Sequence, residues 1–221
     1  NNVSIGHKAS TALTIGKANV CIGYQAQQFT TEAENNVSIG YDAHNKLIDG
    51  DNNVAIGLKA GYFTNNSSNN IAIGKQALYG VDGSTSGANY NVAVGYLSLG
   101  LVEDATYNIA IGNMALYYLT SGSNNIVFGN SALAGVSETT SCSHNIAFGF
   151  NCLQGNTSGG HNIMAGYKAG GYATTGEYNI AFGYEAMEGN SDGTSTTGNI
   201  QNIAIGHQAL TVIETGDYNI G

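Results

Sequence analysis

The 221-residue chain contains no arginine, no proline and no tryptophan, and only three cysteines. Six lysines against 15 acidic residues leave a formal charge of −9. That balance offers no cationic footprint to a nucleic-acid backbone or an anionic membrane. No apolar run approaches the roughly 18 residues of a membrane-spanning helix, so membrane insertion is not expected, and no stretch reads as a signal peptide. Charged residues make up 10% of the chain, against a usual share of about 25%. This is neither an ordinary enzyme surface nor a charge-driven disordered chain. The missing proline implies that most backbone N–H groups are needed as donors. Three cysteines are an odd number and make no disulfide framework.

What the chain has instead is repetition. Asn, then Val or Ile, then a small residue, then an apolar residue, then Gly begins at Asn2, Asn19, Asn36, Asn53, Asn70, Asn91, Asn108, Asn125, Asn145, Asn162, Asn179 and Asn202, with a fragment at Asn219. Successive starts lie 17 residues apart except at three intervals of 21, 20 and 23. Apolar–small–apolar is a period-2 pattern closed by a Gly corner, which reads as a short strand. A 17-residue period built on β-branched slots and Gly corners predicts an all-β fold. It would be a parallel β-solenoid or β-roll of about twelve coils, one array over residues 1–221. At about 4.8 Å per coil the array is a rod of roughly 60 Å.

Three expectations follow for the strand. The two β-branched positions point into the coil. The small residue between them faces out, packed against neighbouring chains of a trimer or filament. The recurrent Asn forms a ladder, bonding to the coils above and below at a turn where left-handed backbone is tolerated.

These residues carry a resemblance. Asn2-Val-Ser-Ile-Gly6, Asn53-Val-Ala-Ile-Gly57 with Leu58-Lys59-Ala60, and Asn202-Ile-Ala-Ile-Gly206 with His207-Gln208-Ala209 resemble the head repeats of trimeric autotransporter adhesins. Similar repeats occur in phage tail-fibre proteins. The resemblance covers essentially the whole chain and implies a left-handed parallel β-roll with three chains around an axis. The adhesin roll uses shorter coils than the 17 residues found here.

The long intervals fall at every third coil. Their extra residues lie in three Ser/Thr-rich stretches: 81–87 with Ser84, Thr85 and Ser86; 136–143 with Thr139 and Thr140; and 190–198 with Thr194, Ser195, Thr196 and Thr197. These are candidate surface loops for O-glycans or carbohydrate contact, and sequons at Asn65, Asn66 and Asn156 are candidate N-glycan sites. Sequons at Asn2 and Asn36 use ladder Asn and are expected to be buried. The repeat starts and stops mid-pattern, which suggests part of a longer chain or end-to-end stacking.

Other chemistry is weakly signalled. His144 and His161 share the slot before the ladder Asn and should stack; Cys142 and Cys152 are close in sequence, so a metal site is conceivable. The same slot holds Tyr107, Asn124 and Tyr178, which favours simple stacking. Cys21 and Cys152 substitute for small residues in repeat slots, and Cys142 reads as a loop thiol. Asp49-Gly-Asp51 and Asp192-Gly193 lack the calcium β-roll motif. No paired carboxylates or Ser/His/Asp spacing recur, so no catalytic residue, metal or cofactor is assigned. Tyr24, Tyr41, Tyr96, Tyr167 and Tyr184 follow the Gly corner, while Tyr90, Tyr107, Tyr178 and Tyr218 precede the ladder Asn. They predict cross-coil stacks, or an aromatic stripe for sugars. The leading expectation is a non-enzymatic shaft of an extracellular fibre, on a cell surface or virion, whose partner is itself. The alternative is an adhesin head or tail-fibre segment contacting cell-surface carbohydrate.

Overall fold

A computed structural model of the protein describes residues 1–83, 87–136, 140–189, 200–211 and 216–221. The described residues contain twelve strands and no helix, in the order β1 (Val3–Ile5) to β12 (Ile203–Ile205), one per repeat. All twelve form a single parallel sheet in sequence order. Equivalent residues face one another at every step, as in Val54↔Ile71, Ala55↔Ala72 and Ile56↔Ile73. Register therefore follows the repeat even across the long intervals, where β8 (Ile126–Phe128) pairs with β9 (Ile146–Phe148). The expected β-solenoid is the observed fold.

Each repeat is one coil, and its residues are numbered here as slots from the ladder Asn in slot 1. The strand occupies slots 2–4. The slot-5 glycine is required: its φ lies between 126° and 142° in all twelve coils, and a Cβ on Gly112 would sit 2.3 Å from the carbonyl oxygen of Gly129 in the coil above. Slots 7, 9 and 17 adopt left-handed backbone throughout, glycine or not, as at Gln76 (φ 56°), Leu78 (φ 48°) and Tyr90 (φ 59°). The ladder Asn itself does not. The residue before it takes that conformation, which corrects the expectation from sequence.

The inside and outside of the strand are also reversed from the expectation. The small residue of slot 3 is buried in eleven of twelve coils, from Cys21, Ser38 and Ala55 to Ala204. The Val and Ile of slots 2 and 4 are half-buried or exposed. The cause is width. Slots 3, 8, 9, 12 and 15 all point into one coil, and slots 3 and 8 are filled mostly by alanine (Ala55 with Ala60, Ala72 with Ala77, Ala110 with Ala115). A coil with walls this close takes its larger side chains away from slots 3 and 8, at slot 9 (Leu78, Leu99, Leu116, Leu133, Leu153) and at slot 12 (Leu47, Leu119). β-Branched residues at slots 2 and 4 are excluded from it, so period 2 turns them outward.

Candidate functional site

The ladder holds the coil in register. The backbone N–H of each ladder Asn donates to Oδ1 of the preceding one, at 2.8–3.0 Å from Asn19 on Asn2 to Asn219 on Asn202. The side-chain Nδ2 donates within its own coil to the slot-15 carbonyl, as Asn36 does to Gly50 (2.9 Å), Asn108 to Gly122 (2.9 Å) and Asn162 to Gly176 (2.8 Å). In most coils Nδ2 also reaches Oδ1 of the Asn below. Each amide thus links neighbouring coils and closes its own. Ladder Asn from Asn19 to Asn202 are buried, whereas Asn2 on the first coil is exposed.

A second, less regular ladder runs along slot 16, and the sequence reading missed it. There a side-chain oxygen accepts the N–H of the coil before: Asp51 from Glu34 (2.7 Å), Ser68 from Asp51 (3.0 Å), Asn89 from Ser68 (2.6 Å), Ser143 from Ser123 (2.9 Å) and Asp217 from Ile200 (2.9 Å). The signal was a column of short side chains bearing an acceptor, hidden because Asp, Ser and Asn serve equally.

Outward, slots 2 and 4 form two adjacent apolar columns along all twelve coils. Slot 2 runs from Val3 through Ile71, Ile126 and Ile163 to Ile203; slot 4 runs from Ile5 through Ile56, Ile73, Phe148 and Phe182 to Ile205. Stacked aromatic columns follow the Gly corner at slot 6 and precede the strand at slot 17. His7, Tyr24 and Tyr41 stack at 5.0 and 4.8 Å, and Phe150, Tyr167, Tyr184 and His207 at 5.5, 5.0 and 5.1 Å. Tyr90 stacks on Tyr107 at 4.8 Å, and His144 on His161 on Tyr178 at 4.7 Å each. These columns are cross-coil stacks: ring faces are covered by the next ring, leaving edges to solvent.

Several expected sites move. Asn156 is fully buried in slot 12, so it is no surface sequon; its side-chain nitrogen and oxygen have no partner. Thr140 is buried too, its carbonyl accepting the Thr120 N–H at 3.0 Å, and is not a loop position for a glycan. Cys142 is an interior slot-15 residue rather than a loop thiol, and burial pushes its pKa up to about 12; Cys152, in slot 8, is raised to about 12 by the same cause. Both thiols point inward while the His144 and His161 rings stand outside, so the four do not converge. Among the described residues, no group of three or more His, Cys, Asp or Glu is placed to hold a metal ion. Asn66 is exposed and Asn65 half-buried. Ser84, Thr85, Ser86, Thr139, Thr194, Ser195, Thr196 and Thr197 lie outside the described residues.

The fold and its outward strip define a parallel β-solenoid with an apolar sheet face. Neither a family model, nor a curated protein, nor a solved structure matches the chain.

Proposed function

We propose that the protein is a non-enzymatic shaft segment of an extracellular fibre, assembled from copies of itself through the strip of slots 2 and 4. The observation that carries this reading is an outward run of Val, Ile and Phe from β1 to β12, each half-buried or exposed and interrupted by alanine at Ala165. Eleven rises of about 4.8 Å give a strip roughly 53 Å long. The two columns cover on the order of 500 Å², and about twice that with the flanking aromatic rows. A typical monomer's largest apolar patch is about 300–600 Å², and a stable interface buries about 800 Å² per partner. The occupant must present apolar side chains at the same coil spacing over the same length, and a second copy of this chain does so by construction. Glycans on the accessible Asn65–Asn66 stretch fit the same extracellular setting.

Light scattering tests this. The native protein is expected to be an oligomer, and the pair Ile73→Asp with Ile111→Asp, on the outer surface of adjacent halves of the strip, is expected to release folded monomers. A native protein that is monomeric and fully folded overturns the proposal.

A further inference from the structure

The first four coils have a different interior from those that follow. Slot 9 carries Gln27, His44 and Gly61 in coils 2–4, where coils 5–9 carry leucine. The polar side chains are wired together. Gln27 Nε2 donates to Asn19 Oδ1 (3.4 Å), and Gln27 Oε1 accepts from the Cys21 thiol (2.7 Å) and the Ser38 hydroxyl (3.4 Å). Ser38 Oγ lies 2.8 Å from His44 Nδ1. Whichever of the two carries that proton, a charged imidazole has N–H groups at both nitrogens, and its Nε2 side is held against Gly61. That glycine makes room for the imidazole: a Cβ there would lie 2.4 Å from His44 Cδ2.

The interior offers a charged imidazole nothing. Cys21 is the titratable group facing it from coil 2, and burial raises that thiol so that it stays neutral. Coil 4 presents Gly61. On its own coil Asp42 is buried, held by Asn45 Nδ2 at 3.2 Å, and its charge is answered by Lys59 and Lys46. Burial alone pushes the His44 pKa down, to about 3, from an ordinary value near 6.5.

We propose that coils 1–4 (residues 2–69) are an acid-operated stretch of the solenoid, which opens on protonation of His44 while the leucine-cored coils stay folded. A stacked array allows this because each coil contacts only its neighbours, so stability is a local sum. The sign is fixed by which state holds the proton. Between about pH 6.5 and 3 the opened segment binds a proton that the closed one refuses, so opening grows as pH falls. Asp42 works in the opposite sense at the acid end of that window, because burial raises its carboxyl and the closed state takes up that proton more readily. This device does not depend on self-association.

The three buried cysteines report both stretches. The rate of thiol labelling by 4,4′-dithiodipyridine, which reacts in acid, is measured on the full chain and normalised to an unfolded cysteine peptide. Between pH 6.5 and 4.5, normalised labelling of Cys21 is expected to rise about 50-fold, because His44 in the opened segment goes from half to fully protonated over those two units. Cys142 and Cys152 should change only a few-fold. His44→Gln keeps a partner for Ser38 but cannot titrate there, and should flatten the Cys21 profile. If that variant does not fold at neutral pH, His44→Leu, the residue of coils 5–9, reads the same outcome. Cys21 tracking the other two thiols at every pH, or a rise of about 50-fold that persists without His44, overturns the proposal.

Discussion

Coils 1–4 and coils 5–11 share one backbone plan and one Asn ladder but differ in what fills the coil. In the first group the interior holds Gln27, Thr30, Ser38, His44 and Thr64; in the second, Leu78, Leu99, Leu116, Leu133, Leu153 and Met187. The contiguous apolar core begins only at Ala43. Thr30 Oγ1 donates to the Leu47 carbonyl (2.7 Å) and Thr64 Oγ1 to the Gly61 carbonyl (2.7 Å), so these hydroxyls are satisfied, whereas the buried Ser10 Oγ of coil 1 has no partner. Such bonds contribute about 1 kcal/mol each net, whereas a fully buried leucine contributes about 1.5–3 kcal/mol. The two groups of coils show that the ladder and corners determine the path of the chain, while the filling determines how firmly each stretch is held.

The largest expected effect lies in what the two groups share. Asn108→Asp sets a buried carboxylate oxygen against the Gly122 carbonyl, now 2.9 Å from Nδ2; a loss of about 4 kcal/mol is expected in urea unfolding. Asn36→Asp should cost the polar coils a similar amount, through the Gly50 carbonyl at 2.9 Å. A much smaller loss at Asn36 would mean that the ladder is not common to both.

Next comes a compensation inside the apolar group. In coil 10 slot 3 is Met164 and slot 9 is Gly170, the reverse of the small–large order in coil 7, where Ala110 goes with Leu116. A Cβ on Gly170 would lie 3.0 Å from the Met164 sulfur. Met164→Ala should cost about 3 kcal/mol by opening a cavity, and Gly170→Leu alone about 2 kcal/mol by overpacking. Together they should recover most of both losses, because the slot already accepts leucine in left-handed backbone at Leu153 (φ 54°). A double variant whose cost is the simple sum would break this account.

Asn156 is a polar intruder among the leucines, and removing it sharpens the contrast. Asn156→Leu should raise stability by about 1–2 kcal/mol, since two buried, unpaired polar atoms are removed from the coil interior. A lower melting temperature would show that the amide has a partner in solution. The smallest effect is expected outside the coil. Gln25→Gly and Gln76→Gly, one in each group and both left-handed (φ 54° and 56°), relieve strain in the folded state but loosen the unfolded chain. Both should change stability by less than about 0.5 kcal/mol by thermal unfolding.

The repeat made much of this legible in advance. Equivalent slots had to stack, so the ladder Asn, the glycine corner, the His144–His161 stack and the Tyr columns could be placed from spacing alone. Cys21 and Cys152 could be assigned to packing because they stood in slots otherwise filled by small residues. Thr140, Cys142 and Asn156 were misread because insertions and loop-like composition conceal which slot a residue occupies. Only the closed coil shows that all three point inward.

The sequence by itself determined the solenoid, its register and the alternation of two faces along each strand. It could not say which face lay inside, because period 2 is the same pattern read from either side. That was decided by the width of the closed coil. Walls close enough to set Ala55 beside Ala60 leave little room at slot 3, so the Val and Ile of slots 2 and 4 went out and small residues, mostly alanine, went in, with Val127 and Met164 as the larger exceptions.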